Sequence, residues 1–231
     1  MKIIKSDFAA GAEAAEGIAV IIDVFRAFST ACYCLHGLAA RLLPAGSIEE
    51  ALALRRRLPD AVLIGERGGR KIEGFDFGNS PTEVQTADLK GKNVIQTTHA
   101  GTQGLVKAMK ADEVLTGAFV NAKATARCIL SRSPKVVTLV RMGWQAETPS
   151  DEDSLCADYL ECLLTGAAFD EASVWPLLRA SPCSSRFFDP AKPWSPSTDF
   201  DLCLKLNCFD FALTARTSPE DGLLSLCKIE A

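Results

Sequence analysis

Gly17-Ile18-Ala19-Val20-Ile21-Ile22-Asp23-Val24 is an unbroken apolar run that closes on an acid. A strand with one wet face alternates apolar and polar residues; this one does not. Continuous runs suit strands covered on both faces, as in a parallel sheet. Asp23 then stands at the carboxyl end of its strand, where open α/β sheets bind ligands. Beyond Phe25-Arg26-Ala27, the residues Ala31, Leu35 and Leu38 share one face at helical spacing. Asp23 and Arg26 therefore flank a strand-to-helix junction. Asp23 as a simple helix cap and Asp23 as a ligand group are equally good readings of this motif alone.

The same alternation continues along the chain. Arg41 to Ala45 is a short strand. Ser47-Ile48-Glu49-Glu50 opens a helix as a capping box, ending before Pro59. Ala61 to Ile64 is a buried strand, and Gly65 to Pro81 is a loop rich in glycine and charge. Gly68-Gly69, Gly74 and Gly78 let backbone approach a ligand closely, while Glu66, Arg67, Arg70 and Asp76 supply both signs of charge. Asn79-Ser80-Pro81 caps a short helix. Lys92 to Thr98 is a strand, and Gly101-Thr102 opens the next helix, a place that favours an anion. Glu113 to Ala118 and Lys135 to Val140 are further strands, with a helix from Val120 to Leu130 between them. Strand–helix alternation of this kind predicts a layered α/β domain with a mainly parallel or mixed sheet. Ser150-Asp151-Glu152-Asp153 opens a long helix, and three acids in a first turn suit the helix dipole as well as Mg²⁺. Ser181 to Thr198 is rich in proline and aromatics and reads as a surface loop or a lid. Residues 1–215 are expected to form one domain, and residues 216–231 a loose tail.

Composition excludes several classes of function. A formal net charge of -4 over 231 residues argues against nucleic acid as a partner. No apolar stretch is long enough to span a bilayer. Met1-Lys2-Ile3-Ile4-Lys5 leads straight into a strand without a signal-peptide pattern, so a cytoplasmic setting is expected. The 9 cysteines include no Cys-x-x-Cys, and only His36 and His99 could complete a zinc site; buried reduced thiols are expected instead. Cys156, one turn into its helix, is a weak candidate nucleophile. Neither a Walker motif nor Gly-x-Gly-x-x-Gly follows a strand, so a dinucleotide site has no support.

Several junctions occur together and in order: Asp23-Val24-Phe25-Arg26-Ala27, Gly65-Glu66-Arg67, Gly74-Phe75-Asp76-Phe77-Gly78-Asn79-Ser80-Pro81, Thr97-Thr98 with Gly101-Thr102, Phe119-Val120-Asn121-Ala122 and Glu152-Asp153. Together they resemble the 2-phosphosulfolactate phosphatase family. The resemblance implies a three-layer α/β/α fold and Mg²⁺-dependent hydrolysis of a phosphate monoester on a sulfonated three-carbon acid, as in coenzyme M biosynthesis. Matched to that chemistry, Arg26 and Arg67 clamp the dianion. Asn79, Ser80, Thr97, Thr98, Gly101 and Thr102 cradle it. Asp76 and Asp153 are the first choice of Mg²⁺ ligands, with Asp23 and Glu66 as base or alternative ligands. No Asp-x-Asp nucleophile stands at the end of a strand and no Cys-x₅-Arg loop occurs, so direct attack by water is expected. Two departures bear on the substrate: His99-Ala100 lengthens the anion loop, and Trp144 puts an indole where small residues are expected. The competing reading is a non-catalytic binder of small anions on the same fold. A symmetric homo-oligomer is the expected assembly.

Overall fold

The computed structural model describes residues 1–230. The elements run β1 (Lys2–Asp7), α1 (Phe8–Glu13), β2 (Ile18–Ile22), α2 (Ala27–His36), β3 (Arg41–Pro44), α3 (Ile48–Arg57), β4 (Val62–Arg67), β5 (Arg70–Lys71) and α4 (Pro81–Thr86). They continue β6 (Asn93–Thr97), α5 (Gly101–Lys107), β7 (Glu113–Gly117), α6 (Ala122–Arg132), β8 (Val136–Arg141), α7 (Asp151–Thr165), α8 (Val174–Ala180), α9 (Ser197–Cys203), β9 (Phe211–Thr217) and β10 (Leu224–Glu230). Among the described residues, the strands form one 10-stranded sheet in the order β1-β8-β2-β7-β9-β10-β3-β6-β4-β5. The architecture is three-layer α/β/α with a mixed sheet, as the sequence predicts.

The sheet has two parallel halves. β1, β8, β2 and β7 run one way, and β3, β6 and β4 form the other set. The antiparallel hairpin β9-β10 joins them, so the halves run in opposite senses along the ladder. Their carboxyl ends nevertheless meet: Gln96 of β6 donates from Nε2 to the carbonyl of Ala27, at the start of the helix that follows β2 (3.0 Å). Both conditions hold only if the sheet curls.

Side-chain alternation shows what it curls around. Ala19 and Ile21 of β2, Leu42 of β3, Ile64 of β4 and Val94 of β6 share one core with α2 and α5. Ile18, Val20 and Ile22 face a second core under α6 and α7. Leu43, Leu63 and Ile95 face a third under α3. The strand β2 is therefore buried on both sides, which explains why its sequence shows no alternation.

Residues 216–230 do not form the loose tail expected of them, and residue 231 lies outside the described residues. Residues Leu224–Glu230 are β10, paired along its whole length with β9 in the interior of the sheet. The polar stretch Ser218–Leu223 is the hairpin loop, closed by Ser218 N donating to Leu223 O (2.9 Å).

The proline-rich stretch is no plain surface loop either. Phe187 meets Phe25 edge-on at 4.9 Å, and Phe200 of α9 lies 5.6 Å from Phe25. Such pairs add ~0.5–1.5 kcal/mol each beyond the apolar area they bury. They hold residues 181–203 over the end of β2.

Candidate active site at the carboxyl ends of the strands

Asp23 lies directly beyond β2 and is 7% exposed. Its Oδ1 accepts from Ala27 N (3.1 Å), so it caps α2. The ligand reading survives beside the cap, because Oδ2 has no partner among the described residues. A Cβ on Gly101 would fall 2.8 Å from that Oδ2 and 2.7 Å from Ala27 Cβ, so only glycine lets the start of α5 come this close. Burial pushes the Asp23 carboxyl up to about 7, helped by the negative charges of Glu66 and Glu152 and opposed by Ala27 N–H and the Arg186 guanidinium.

Glu66 has the same strand parity as Ile64, so it points toward α2 and α5. Its oxygens accept from His99 N and Gly69 N, each at 2.7 Å. Glu152 and Asp153 enter from the first turn of α7. Asp153 accepts from Val24 N (2.9 Å) and Gly143 N (2.8 Å), which ties β2, β8 and α7 together. Burial raises its carboxyl well above the usual range, and Glu152 and Asp23 add to that. Glu152 is likewise buried and raised by desolvation, and its Oε2 has no hydrogen-bond partner among the described residues.

One guanidinium faces these acids, and the sequence analysis did not single it out. Arg186 belongs to the proline-rich segment. It is 9% exposed, donates from Nη2 to Phe25 O (2.8 Å), and leaves Nε unpartnered. Its guanidinium lies 4.5 Å over the Trp144 ring. Burial, and then the charge of Arg26, lower its pKa from the ordinary arginine value.

Other expected site residues are placed elsewhere, each for a physical reason. Arg67 follows Glu66 on the same strand, so it points to the opposite face. There it donates to Thr97 Oγ1 (3.0 Å), also on the α3 side. Neither Arg67 nor Thr97 borders the chamber. Asp76 lies at the outer edge of β4, accepting from Leu63 N (2.7 Å) and standing 3.6 Å from Arg55. Its placement as a Mg²⁺ ligand beside Asp153 is corrected accordingly. Ser80 accepts from Glu83 N as the cap of α4 and donates to Asp199 (2.8 Å). Thr98 and Thr102 bond each other: Thr98 N donates to Thr102 Oγ1 (2.9 Å) and Thr102 N to Thr98 Oγ1 (3.1 Å). Their hydroxyls brace the turn, and neither residue borders the chamber. Arg26 borders the chamber, but Nη1 donates to Trp194 O (3.0 Å) and pairs with Asp199, while Nη2 donates to Gly69 O (2.9 Å). It is a strut, not a free clamp. Asn79 does line the chamber; its Oδ1 accepts from Gln96 (3.1 Å). Cys156 is fully buried, and burial pushes its thiol well up, so it is no nucleophile.

Asp23, Glu66, Asn79, His99, Gly143 and Arg186 enclose a chamber of about 20 Å³. A single water needs ~10–15 Å³ measured in this way, so the chamber holds one ion or one water. Gly68, Gly69, Trp144 and Arg186 also border an outer cleft of about 660 Å³. Hard carboxylate oxygens around an ion-sized space suit Mg²⁺, which takes one or two carboxylates and completes its shell with water and phosphate. Asp23 and Glu66 are the carboxylates that border this space. Glu152 stands at the wall of the outer cleft, and Asp153 is saturated by backbone donors.

Fold and site together define a layered α/β protein with an acid-lined, ion-sized chamber at its strand ends and a wide cleft in front of it. Residues 5–184 match the sequence model of the family described as 2-phosphosulpholactate phosphatase. A protein of Bacillus subtilis (strain 168) described as probable 2-phosphosulfolactate phosphatase is 33% identical over 207 residues, covering 88% of this chain and 89% of its own. One from Carboxydothermus hydrogenoformans, with the same description, is 37% identical over 201 residues, covering 83% of each chain. The chain belongs to the 2-phosphosulpholactate phosphatase family. The matched span stops just before Arg186, Trp194 and Asp199, so three residues that close the site lie beyond it.

Proposed function

We propose that this protein is a Mg²⁺-dependent phosphatase that hydrolyses a phosphate monoester of a small sulfonated or carboxylated acid. The family makes 2-phosphosulfolactate, cleaved to sulfolactate and phosphate as in coenzyme M biosynthesis, the first substrate to try. One observation carries the reading: three carboxylates, buried Asp23 and Glu152 and half-buried Glu66, surround a single uncommitted guanidinium, Arg186, with buried Asp153 behind them. An excess of buried acid repels a phosphate dianion unless a cation stands between them. Mg²⁺, when bound, would neutralise phosphoryl oxygens and polarise water.

The chain's own residues would do the rest. Arg186, held by Phe25 O and backed by Trp144, turns its unpartnered Nε toward an anion at the mouth of the chamber. Asn79 can donate from Nδ2, since its Oδ1 is already occupied. Asp23 Oδ2, free of protein partners, would take the proton of an attacking water or return one to the leaving oxygen where Glu66 holds the ion. Phe25, Trp144 and the aromatic segment above them exclude bulk water.

Phosphate release from 2-phosphosulfolactate, measured with Mg²⁺ and with EDTA, tests the proposal. Turnover that needs the metal supports it. A protein whose melting temperature rises with phosphate but which releases none is the non-catalytic binder instead. Asp76→Asn is expected to keep kcat/KM within about twofold, because its partly exposed pair with Arg55 is worth ~1 kcal/mol or less. A loss beyond tenfold would return Asp76 to the site. A cytoplasmic setting belongs to the same proposal and is supported by nine cysteines that are all unpaired. Among the described residues, no helix is long and apolar enough to cross a membrane. A symmetric homo-oligomer remains the proposed assembly on general grounds, to be read by sedimentation.

A further inference from the structure

The outer cleft is far larger than a three-carbon acid requires. At about 660 Å³ it falls within the ~300–1,000 Å³ range of pockets that enclose drug-sized ligands. It opens on the inner chamber through a shared wall of Gly68, Gly69, Trp144 and Arg186. A phosphoryl group held at that wall would have its alcohol portion lying in the cleft.

The walls are specific in character. Trp144 and Trp194 converge above Gly69: a Cβ there would lie 3.6 Å from Trp144 Cη2 and 3.9 Å from Trp194 Nε1. Gly69 has φ +81°, so a larger residue would be strained in backbone, although the indoles stand only at ordinary contact distance. Each indole carries a stacked guanidinium, Arg70 at 4.0 Å from the Trp194 ring and Arg186 at 4.5 Å from Trp144. Trp144 is 39% exposed, a large flat surface left open beside the proposed phosphoryl position. Along the same wall, Ser195 Oγ, Arg186 Nε and Glu152 Oε2 are buried without a hydrogen-bond partner among the described residues. Buried polar atoms are normally paired, so these three call for a ligand or ordered water. Lys192, paired with Asp189 at 3.3 Å, adds a cation to a lining that also carries Asp151.

We propose that, beside the small acid, the cleft admits a second substrate class: the leaving group of a phosphate monoester built on an aromatic ring with a second anionic group. The inference rests on the phosphatase reading only for where the phosphoryl group sits. Flat rings stack on indole and on indole-backed guanidinium. An anionic substituent at the far end of the ring meets Arg70 or Lys192. A compact aliphatic acid would leave the indoles and the unpartnered atoms to water.

Non-hydrolysable phosphonates separate this inference from catalysis. Calorimetric titration of the full chain with Mg²⁺ would compare methylphosphonate, phenylphosphonate and 4-carboxyphenylphosphonate. Affinity is expected to rise at least tenfold from the first to the third. Trp194→Ala is expected to remove most of that rise while methylphosphonate serves as the internal reference, and Trp194→Phe to restore it. Equal affinity for the methyl and aryl compounds, or a preference that Trp194→Ala leaves unchanged, overturns the proposal. An aryl preference in a protein that hydrolyses no ester keeps the cleft assignment and overturns the phosphatase. Turnover of 2-phosphosulfolactate without any aryl preference does the reverse.

Discussion

Asp23→Asn is expected to lower kcat for phosphate release by a factor of ~10²–10⁴, the range of a lost acid–base group, and at the same time to raise the stability of the metal-free protein at pH 8. The two effects have one origin. The carboxyl is buried beside Glu66 and Glu152, and its proton affinity is pushed up to about 7. In the unfolded chain an aspartate titrates near ~3.9. A carboxyl with its folded value above its unfolded value contributes most stability below ~4, and that contribution is lost as pH rises toward 7. Each pH unit in that interval removes ~1.4 kcal/mol per such group. Asparagine keeps an oxygen for Ala27 N and carries no charge to desolvate. Melting temperatures from pH 5 to 8 in EDTA should therefore fall steeply in the wild type and less steeply in the variant. A variant that melts lower than wild type at pH 8, or one that keeps wild-type turnover, contradicts this account of Asp23.

That coupling of instability and function explains which parts of the site could be read in the sequence. Buried charge stands out against apolar surroundings, so Asp23 at the end of an unbroken apolar strand, Glu66 in a glycine-rich turn and Asp153 at a helix start were visible as residues. Their facing was harder to read. Taking the strand as finished at Ile64 made Glu66 and Arg67 equivalent loop residues. The strand runs to Arg67, and its two-residue period sends the two side chains to opposite faces. Thr97 and Thr98 are divided by the same rule. The specific run Gly74 to Pro81 proved to cover the outer edge of β4: Gly65 N donates to Phe77 O (3.2 Å) and Phe77 N to Leu63 O (3.1 Å). It delivers Asn79 to the chamber while leaving Asp76 behind.

Arg186, Trp194 and Asp199 were not legible, because no local pattern marks them. Their hydrogen-bond partners are Phe25 for Arg186 and Arg26 for Trp194 and Asp199, each more than a hundred residues away in sequence. The strand β10 did carry a signal. A turn-forming cluster, Ser218-Pro219-Glu220-Asp221-Gly222, separates two runs of strand length, which is the pattern of a hairpin. Its polar residues were read as a loose end because nothing in one sequence shows that the hairpin joins two half-sheets.

Asp199→Ala is the substitution expected to cost most in stability. The carboxylate is fully buried and holds Arg26, whose side chain is 2% exposed. It also accepts from Ser80 Oγ (2.8 Å) and Thr82 N (2.9 Å), so one group joins α9, the start of α2 and the start of α4. Removing one partner of a buried ion pair leaves the other charge uncompensated, at a cost of ~3–5 kcal/mol. Replacing both partners is far milder, so Arg26→Met added to Asp199→Ala should recover more than half of the loss in chemical denaturation. Recovery is the diagnostic result, since a simple cavity at Asp199 would be worsened by the second change. Activity should not recover with stability. Arg26 also donates to Gly69 O (2.9 Å) and Trp194 O (3.0 Å), which fixes the shared wall of chamber and cleft. The double variant should therefore fold and still lose most of its turnover. A loss below ~1 kcal/mol in Asp199→Ala, or full activity in the double variant, would show that the pair neither stabilises the fold nor shapes the site.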